Sequence, residues 1–600
     1  MLVAALLLIT CVPQGEPSPR AALLARCADC HPSEVAAYAR TGMARALEPL
    51  RPGELAGLAP VAESATGFAY AFEDGGAGAR IVETFARAPK DGAAPLPWRD
   101  SAPLAFAIGA GELDRSFVLQ RAARLWLAPL EAVGPAGARR AALAPGHAMT
   151  PGTRFTLPVT PECLGCHTDA PPPRAWPLNL APRDWTPRGI SCAACHGALE
   201  EHVRVREGGG EGGGVGEHAR DAVPDPLASE RDRSRVARME RCAACHLQGD
   251  ARIELDPERL GPPPSGTPLL ATRAVFVARA PSDEIGFVSH VQRLVLSRCY
   301  LESARFPRGG LACEGCHDPH RSTAEPAERA LVREACRACH EPLASVAKRA
   351  SDCGLARADR PDGRDCVDCH MRTTGVFDVA GVAIHDHWIR RALPAASAPA
   401  PLRFPESASG DWRVFTWPDE SAGESAPAPE PDPGLWTMAL AHGGLAARAR
   451  EFLARGPGTR ARELAMLYHV RGSLLEESGD ANAARRAYEH ALELDPELCE
   501  STTNLGPLLA HAGEAAAGKK LLDDLIARHP LADGAWRNRA VVRLALGDEA
   551  GCRADLENAL KLLPDADLAG ALAKLAEQRG DAAGARRWRD EARRLDPRLP

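Results

Sequence analysis

Aromatic side chains are scarce in this chain, 5% of 600 residues, and lysine occurs only six times. The first shortage excludes an ordinary ring-filled core for a protein of this length, although the apolar content of 45% is normal. Arginine, in contrast to lysine, is plentiful, and the formal net charge of −7 gives no sign of nucleic-acid binding. Long hydrophobic runs are missing too. The opening stretch from Leu2 to Ile9 is too short to cross a bilayer, and no later segment is better suited.

What is present is a repeated pattern, Cys-x-x-Cys-His. It occurs at Cys27/Cys30/His31, then six times between Cys163 and His370. Those six are Cys163/Cys166/His167, Cys192/Cys195/His196, Cys242/Cys245/His246, Cys313/Cys316/His317, Cys336/Cys339/His340 and Cys366/Cys369/His370. Zinc sites and redox dithiols also use Cys-x-x-Cys, but neither needs a histidine directly after the second cysteine. With 19 histidines in 600 residues, chance puts one there about once in thirty motifs. Its presence in every copy reads as c-type haem attachment: two thiols reach one porphyrin, and the adjacent imidazole becomes the proximal ligand of its iron. Seven covalent haems are expected, and seven apolar discs would supply the surface that aromatic residues do not.

Fourteen of the 19 cysteines are absorbed in this way. The remaining five, Cys11, Cys299, Cys353, Cys499 and Cys552, do not form a disulfide framework. Cys299 reads as a buried inert thiol or as the partner of Cys353.

Along the chain, residues 1–20 look like an export leader, although no basic residue precedes the apolar run. Leu8-Ile9-Thr10-Cys11 resembles a bacterial lipoprotein box; a lipid anchor at Cys11 and plain cleavage both remain open. Residues 21–59 carry the first motif. In 60–160, short apolar runs broken by Gly, Pro and Asp predict a small β-rich module, and the run from Ile108 to Gly111 reads as a tight turn. Residues 161–391 form the loop-rich multihaem domain. Residues 392–435 are a linker of Ala, Pro, Ser and Glu, too polar to pack by itself. From 436 to 600 a period of about 34 residues appears, with Gly479, Gly513, Gly547 and Gly580 at turns and Pro496, Pro530, Pro564 and Pro597 closing each unit. Gly472, Ala484, Tyr488, Ala491 and Pro496 match the tetratricopeptide (TPR) pattern. Four helix pairs, stacked as an all-α superhelix that folds on its own, are expected. The fold class is thus multidomain: a multihaem core with a β-rich module, followed by repeats that dock a protein partner.

A second axial ligand decides whether a haem carries electrons or does chemistry. The candidates are His202, His290, His320, His385 and His387, with Met43 as a thioether alternative 12 residues past His31. Pro319 stiffens the turn before His320 and aims it away from its own motif. His147 and His218 read as solvated loop histidines.

The runs from Gly189 to His202, Ser289 to Tyr300, Cys313 to His320 and Cys366 to Met371 resemble the bis-histidine multihaem cytochrome c superfamily. That superfamily includes the tetrahaem electron carriers of ammonia oxidation and the nitrite and hydroxylamine enzymes. The resemblance covers residues 160–391 with 27–31. It implies haem attachment outside the cytoplasm, hence a periplasmic or outer-membrane-associated bacterial protein, exchanging electrons with redox partner proteins. The alternative it implies is a haem oxidoreductase acting on a small nitrogen or sulfur compound at one five-coordinate haem.

Overall fold

The computed structural model describes residues 26–346, 366–391, 411–418 and 432–599, apart from 76–77, 87–96, 122, 136, 173–174, 183, 209–226, 228–232, 257–262, 264–265, 281, 304–309, 380–381 and 462. The leader with Cys11, His218 and Cys353 lie outside the described residues.

The β-rich module starts earlier than the sequence suggests, at residue 47, and its last strand ends at Leu143. Its strands are β1 (Leu47–Pro49), β2 (Val61–Glu63), β3 (Phe68–Gly75), β4 (Gly78–Ala86), β5 (Pro97–Ile108), β6 (Asp114–Arg121), β7 (Arg124–Val133) and β8 (Arg140–Leu143). Strands β2 to β8 pair antiparallel in sequence order, and β1 adds to the far half of the long β5. The sheet curls until β2 meets β8, so it is nearly closed. Alternation explains the curl's filling: Phe68 and Tyr70 point inward between Ala69 and Ala71, and meet Ile81, Phe117, Leu119, Trp126 and Leu130.

The following segment has little regular structure. Its longer helices are Arg235–His246, opened by the Ser234 hydroxyl accepting from the Ala237 amide at 3.2 Å, and Pro326–Val346. A short sheet joins Ala251–Glu254, Arg273–Ala278 and Trp412–Val414. The last of these strands corrects the linker. Residues 411–418 do pack, because Trp412 and Phe415 bring apolar surface that the surrounding Pro/Ala-rich stretch lacks; both are buried.

The C-terminal part consists of five helix pairs, not four: Pro433–His442 with Ala446–Leu453, Ala465–Glu477 with Ala481–Leu494, Cys499–His511 with Ala515–Arg528, Asp533–Ala545 with Glu549–Leu562, and Ala566–Gln578 with Ala582–Leu595. The first pair precedes the visible period, which hid it. Gly479 and its counterparts take positive φ between the helices of a pair, and Asp480, Asp548 and Asp581 then cap the next helix through their side chains. Gly472 is required by close approach: a Cβ there would lie 2.5 Å from the Tyr488 ring.

The repeats pack against the rest of the chain at both ends. At their start Leu435, Trp436 and Met438 share one core with Ile253, Phe276 and Trp412; the Trp436 and Phe276 ring centres are 4.9 Å apart. At their end the last helix meets the β module. The Trp98 indole donates to the Arg594 carbonyl at 2.9 Å and Arg154 donates to the Leu595 carbonyl at 2.5 Å. These carbonyls belong to the final helical turn, where no intrahelical donor remains.

Candidate metal centre

The motif histidines and the spare histidines meet across the chain. The His31 and His202 ring centres are 6.5 Å apart with planes 26° from parallel. His196 and His320 are 6.0 Å apart at 6°, and His317 and His387 are 6.3 Å apart at 36°. His246 and His290 are closer, 5.2 Å and nearly perpendicular, and His290 in turn lies 4.7 Å from His387. Each of these pairs except His290–His387 joins one ring following a cysteine pair to one spare ring from a distant segment.

Local structure aims these rings. His31, His196, His246 and His370 end or directly follow a helical turn that carries their cysteines. His317 follows a 3₁₀ turn, and its Nδ1 meets Glu328 Oε1 at 3.0 Å; Glu328 is buried and also accepts from the Asp318 amide. His370 Nδ1 meets the Arg390 carbonyl at 3.0 Å, and His387 Nδ1 meets the His385 carbonyl at 3.0 Å. With Nδ1 engaged, Nε2 is the nitrogen left to ligate. Asp386 sits between His385 and His387 and is gripped by Arg293 through bonds of 2.8 and 2.6 Å, which fixes that loop. Burial lowers the basicity of His387 and His167, to about 4 in each, and pushes His246 and His290 the same way. A buried neutral imidazole offers its lone pair to a metal without first losing a proton.

The thiols also fall into line. Cys27 meets Cys192, Cys166 meets Cys245, Cys242 meets Cys313, and Cys316 has Cys336, Cys299 and Cys339 nearby. Cys195, the second thiol of its motif, is half-buried and lies near Cys245 and the Tyr38 hydroxyl. Cys313 Sγ is 3.4 Å from Met239 Sδ. Cys163 is exposed beside Thr160, and Cys30, Cys339 and Cys369 are exposed as well; Cys366 is half-buried. No disulfide forms among the described residues, and Cys299 is a half-buried free thiol with its pKa raised by burial.

Other candidates are placed differently. His385 lies in the strand Ala383–His385 with Nδ1 shared between Thr373 and the Met371 carbonyl. His340 is exposed on the helix Pro326–Val346. Met43 lies in the turn before β1, where its carbonyl accepts from Ile190 and Ala46. The carbonyl of Ala46 in turn holds the His167 ring. His147 is not a solvated loop residue: it is buried with Nε2 on the Leu127 carbonyl at 3.1 Å and Nδ1 on the Thr153 hydroxyl at 2.9 Å, so neither nitrogen is spare.

Do these residues fit a haem? Two iron–nitrogen bonds of about 2 Å, with roughly 1 Å from each nitrogen to its ring centre, set two axial imidazoles about 6 Å apart. Three of the histidine pairs stand at that separation. Among the described residues no group of three or more His, Cys, Asp or Glu side chains is arranged to hold a bare metal ion. Axial ligation needs only two, since the porphyrin supplies the other four nitrogens. Sequence reasoning missed Glu328 and the Arg293–Asp386 pair. Glu328 stands 11 positions after His317 without any motif, whereas Asp386 between two histidines was visible as a signal.

No family model matches the chain, and no curated protein matches it. Solved structures do. The structure titled "MamA 41-end from Desulfovibrio magneticus RS-1" is 15% identical, covering 27% of this chain and 91% of its own, with a TM-score of 0.25. PilW, titled a type IV pilus biogenesis factor, is 18% identical over 28% of this chain and 78% of its own, TM-score 0.25. A thermophilic TPR protein of Thermus thermophilus, TTC0263, is 18% identical over 28% of this chain and 91% of its own, TM-score 0.24. The chain is similar to TPR proteins over about a quarter of its length, and it is a multidomain protein that combines a nearly closed sheet with a helical-repeat tail.

Proposed function

We propose that this chain is an exported multihaem c-type cytochrome that transfers electrons, with a TPR tail that docks a protein partner. The observation that carries the reading is the 6.0–6.5 Å facing of His31 with His202, His196 with His320 and His317 with His387. Each pair joins a Cys-x-x-Cys-His ring to a spare ring, which is what bis-histidine ligation asks of a protein. Bound haem would supply one-electron redox chemistry at each site. The chain's own task is then positional. The cysteine pairs would tether each haem and the paired histidines would ligate its iron, while Glu328 holds the His317 imidazole in orientation and Asp386, gripped by Arg293, fixes the loop that carries His387. The close approach of thiols from different motifs favours a connected set of centres over isolated ones. Among the described residues no helix is long and apolar enough to cross a membrane, so the leader and Cys11 are the proposed routes to export and anchoring.

A pyridine haemochrome assay on protein matured with a c-type haem apparatus tests the count: seven per chain are expected, and four or fewer overturns the reading. The second reading, an oxidoreductase of a small nitrogen or sulfur compound, has its place at His167, His340 or His370. Among the described residues no second histidine ring faces these three. A high-spin haem that binds nitrite, hydroxylamine or sulfite in the unmutated protein would favour it.

A further inference from the structure

The run Ile108-Gly-Ala-Gly111, a simple turn by sequence, is instead a cradle for arginines. Its three carbonyls accept from three different guanidiniums: Gly109 from Arg115 at 2.7 Å, Ala110 from Arg45 at 2.9 Å and Gly111 from Arg139 at 2.5 Å. Arg51 joins them through Glu48, which also pairs with Arg115 and Arg45. Among the described residues the ion pairs of Arg45, Arg51 and Arg115 run to Glu48 and Glu54, so two carboxylates serve a cluster of four cations.

The donors are not used up. Arg115 is fully buried, yet its Nη2 has no hydrogen-bond partner, and neither has Arg139 Nε. Unpaired buried guanidinium N–H groups are costly, and each carries charge as well as a hydrogen. The two side chains meet at the loop: a Cβ at Gly111 would lie 2.4 Å from Arg139 Nη2 and 3.1 Å from Arg115 Cδ. Crowding among Arg115, Arg51 and Arg45, added to burial, pushes the Arg139 pKa down. Arg45, Arg51 and Arg139 are part-exposed, so the cluster opens to solvent.

We propose that Arg115 and Arg139, with Arg45 beside them, form a binding site for a small inorganic oxyanion. An anion with two or more acceptor oxygens would take the two unpaired donors at once and offset the excess charge. Gly111 is what admits it. Its φ of +76° and missing side chain let the Arg139 guanidinium lie against the loop. The site does not depend on the electron-transfer reading. It touches the metal centre only because Arg45 precedes Ala46, whose carbonyl holds His167.

The test is calorimetric titration of the matured full chain with sodium sulfate and, separately, sodium nitrite in a low-salt buffer. One saturable site is expected for at least one of the two anions, weakened tenfold or more by Arg139→Ala and also by Gly111→Ala, with Arg139→Lys intermediate. Unchanged circular dichroism checks that each variant folds. Arg45→Gln, at a part-exposed position that leaves the buried Arg115 in place, provides an independent reading with a smaller loss. Absence of saturable binding of either anion overturns the proposal, and so does binding that survives all the substitutions. A haem count of seven alongside no anion binding would defeat this inference and leave the electron-transfer reading standing.

Discussion

Replacing Glu131 by glutamine should make the protein more stable at neutral pH. Glu131 lies on β7 opposite Ser116, wholly shielded from solvent, and its Oε1 has no hydrogen-bond partner. Burial, with the negative Asp114 nearby, raises its pKa from 4.5 to about 8. Each pKa unit is worth about 1.4 kcal/mol, so the fold loses about 4–5 kcal/mol of stability as this group passes from ordinary to alkaline pH. The sign follows from proton binding. The folded chain holds the proton more tightly than the unfolded one, so stability is fully present below pH 4.5 and is lost as pH rises through 8. At pH 7 the loss is already about 3 kcal/mol. A glutamine side chain is always neutral and about the same size, so the Glu131→Gln variant escapes this loss. Denaturant unfolding of parent and variant should therefore coincide near pH 4.5, diverge by about 3 kcal/mol at pH 7 and diverge further at pH 8.5. Asp114, raised to about 6 by burial and then by Asp378, titrates in both proteins and does not create the difference. A difference that stays constant from pH 4.5 to 8.5, or a variant less stable than the parent at pH 8.5, refutes the argument.

The other predictions are briefer. His320→Ala removes the ring 6.0 Å from His196, so one haem per chain should turn high-spin by electron paramagnetic resonance and bind carbon monoxide once reduced. Gly472→Ala drives a methyl group into the Tyr488 ring, 2.5 Å away, and should cost about 1–3 kcal/mol in thermal unfolding of the repeats; Gly479→Ala, where φ is +85° but space is open, should cost only about 1 kcal/mol. Arg154→Ala strands the buried Glu83 and frees the Leu595 carbonyl, a loss of about 3–5 kcal/mol in denaturant unfolding. Adding Glu83→Gln should recover much of it, because no buried charge is then left without a partner.

Some of this architecture was legible in residues and some was not, for identifiable reasons. Cys-x-x-Cys-His is a short contiguous motif, so all its information lies within five neighbouring positions. The repeat period was readable because Gly479, Gly513, Gly547 and Gly580 serve one geometric need at fixed spacing. The first helix pair escaped because Pro433–His442 is buried nearly all round and carries none of the periodic polar positions that mark an exposed helix. Strand Trp412–Val414 escaped because three residues in a Pro/Ala-rich stretch carry almost no periodic signal; their pairing with Arg273–Ala278 comes from more than a hundred residues away. The facing of particular histidines was invisible for the same reason. His320 was identifiable as a candidate beside Pro319, but nothing local states that its counterpart is His196.

The two attachments of the repeat tail bear on what partner docking can do. A repeat tail joined only by a linker would be mechanically independent of the histidine-bearing segment. Here the first helix pair shares a core with Phe276 and Trp412, and the strand holding Phe276 begins at Arg273, which donates to the Ala244 carbonyl two residues before His246. The far end of the tail is tied to Arg154, which also grips Glu83 inside the sheet. Strain applied to the helical repeats therefore has packed routes into both the histidine-bearing segment and the β module. Packed interfaces transmit such strain better than a flexible tether, because their parts shift together. The tail is better viewed as a clamp across the rest of the chain than as an appended recognition module.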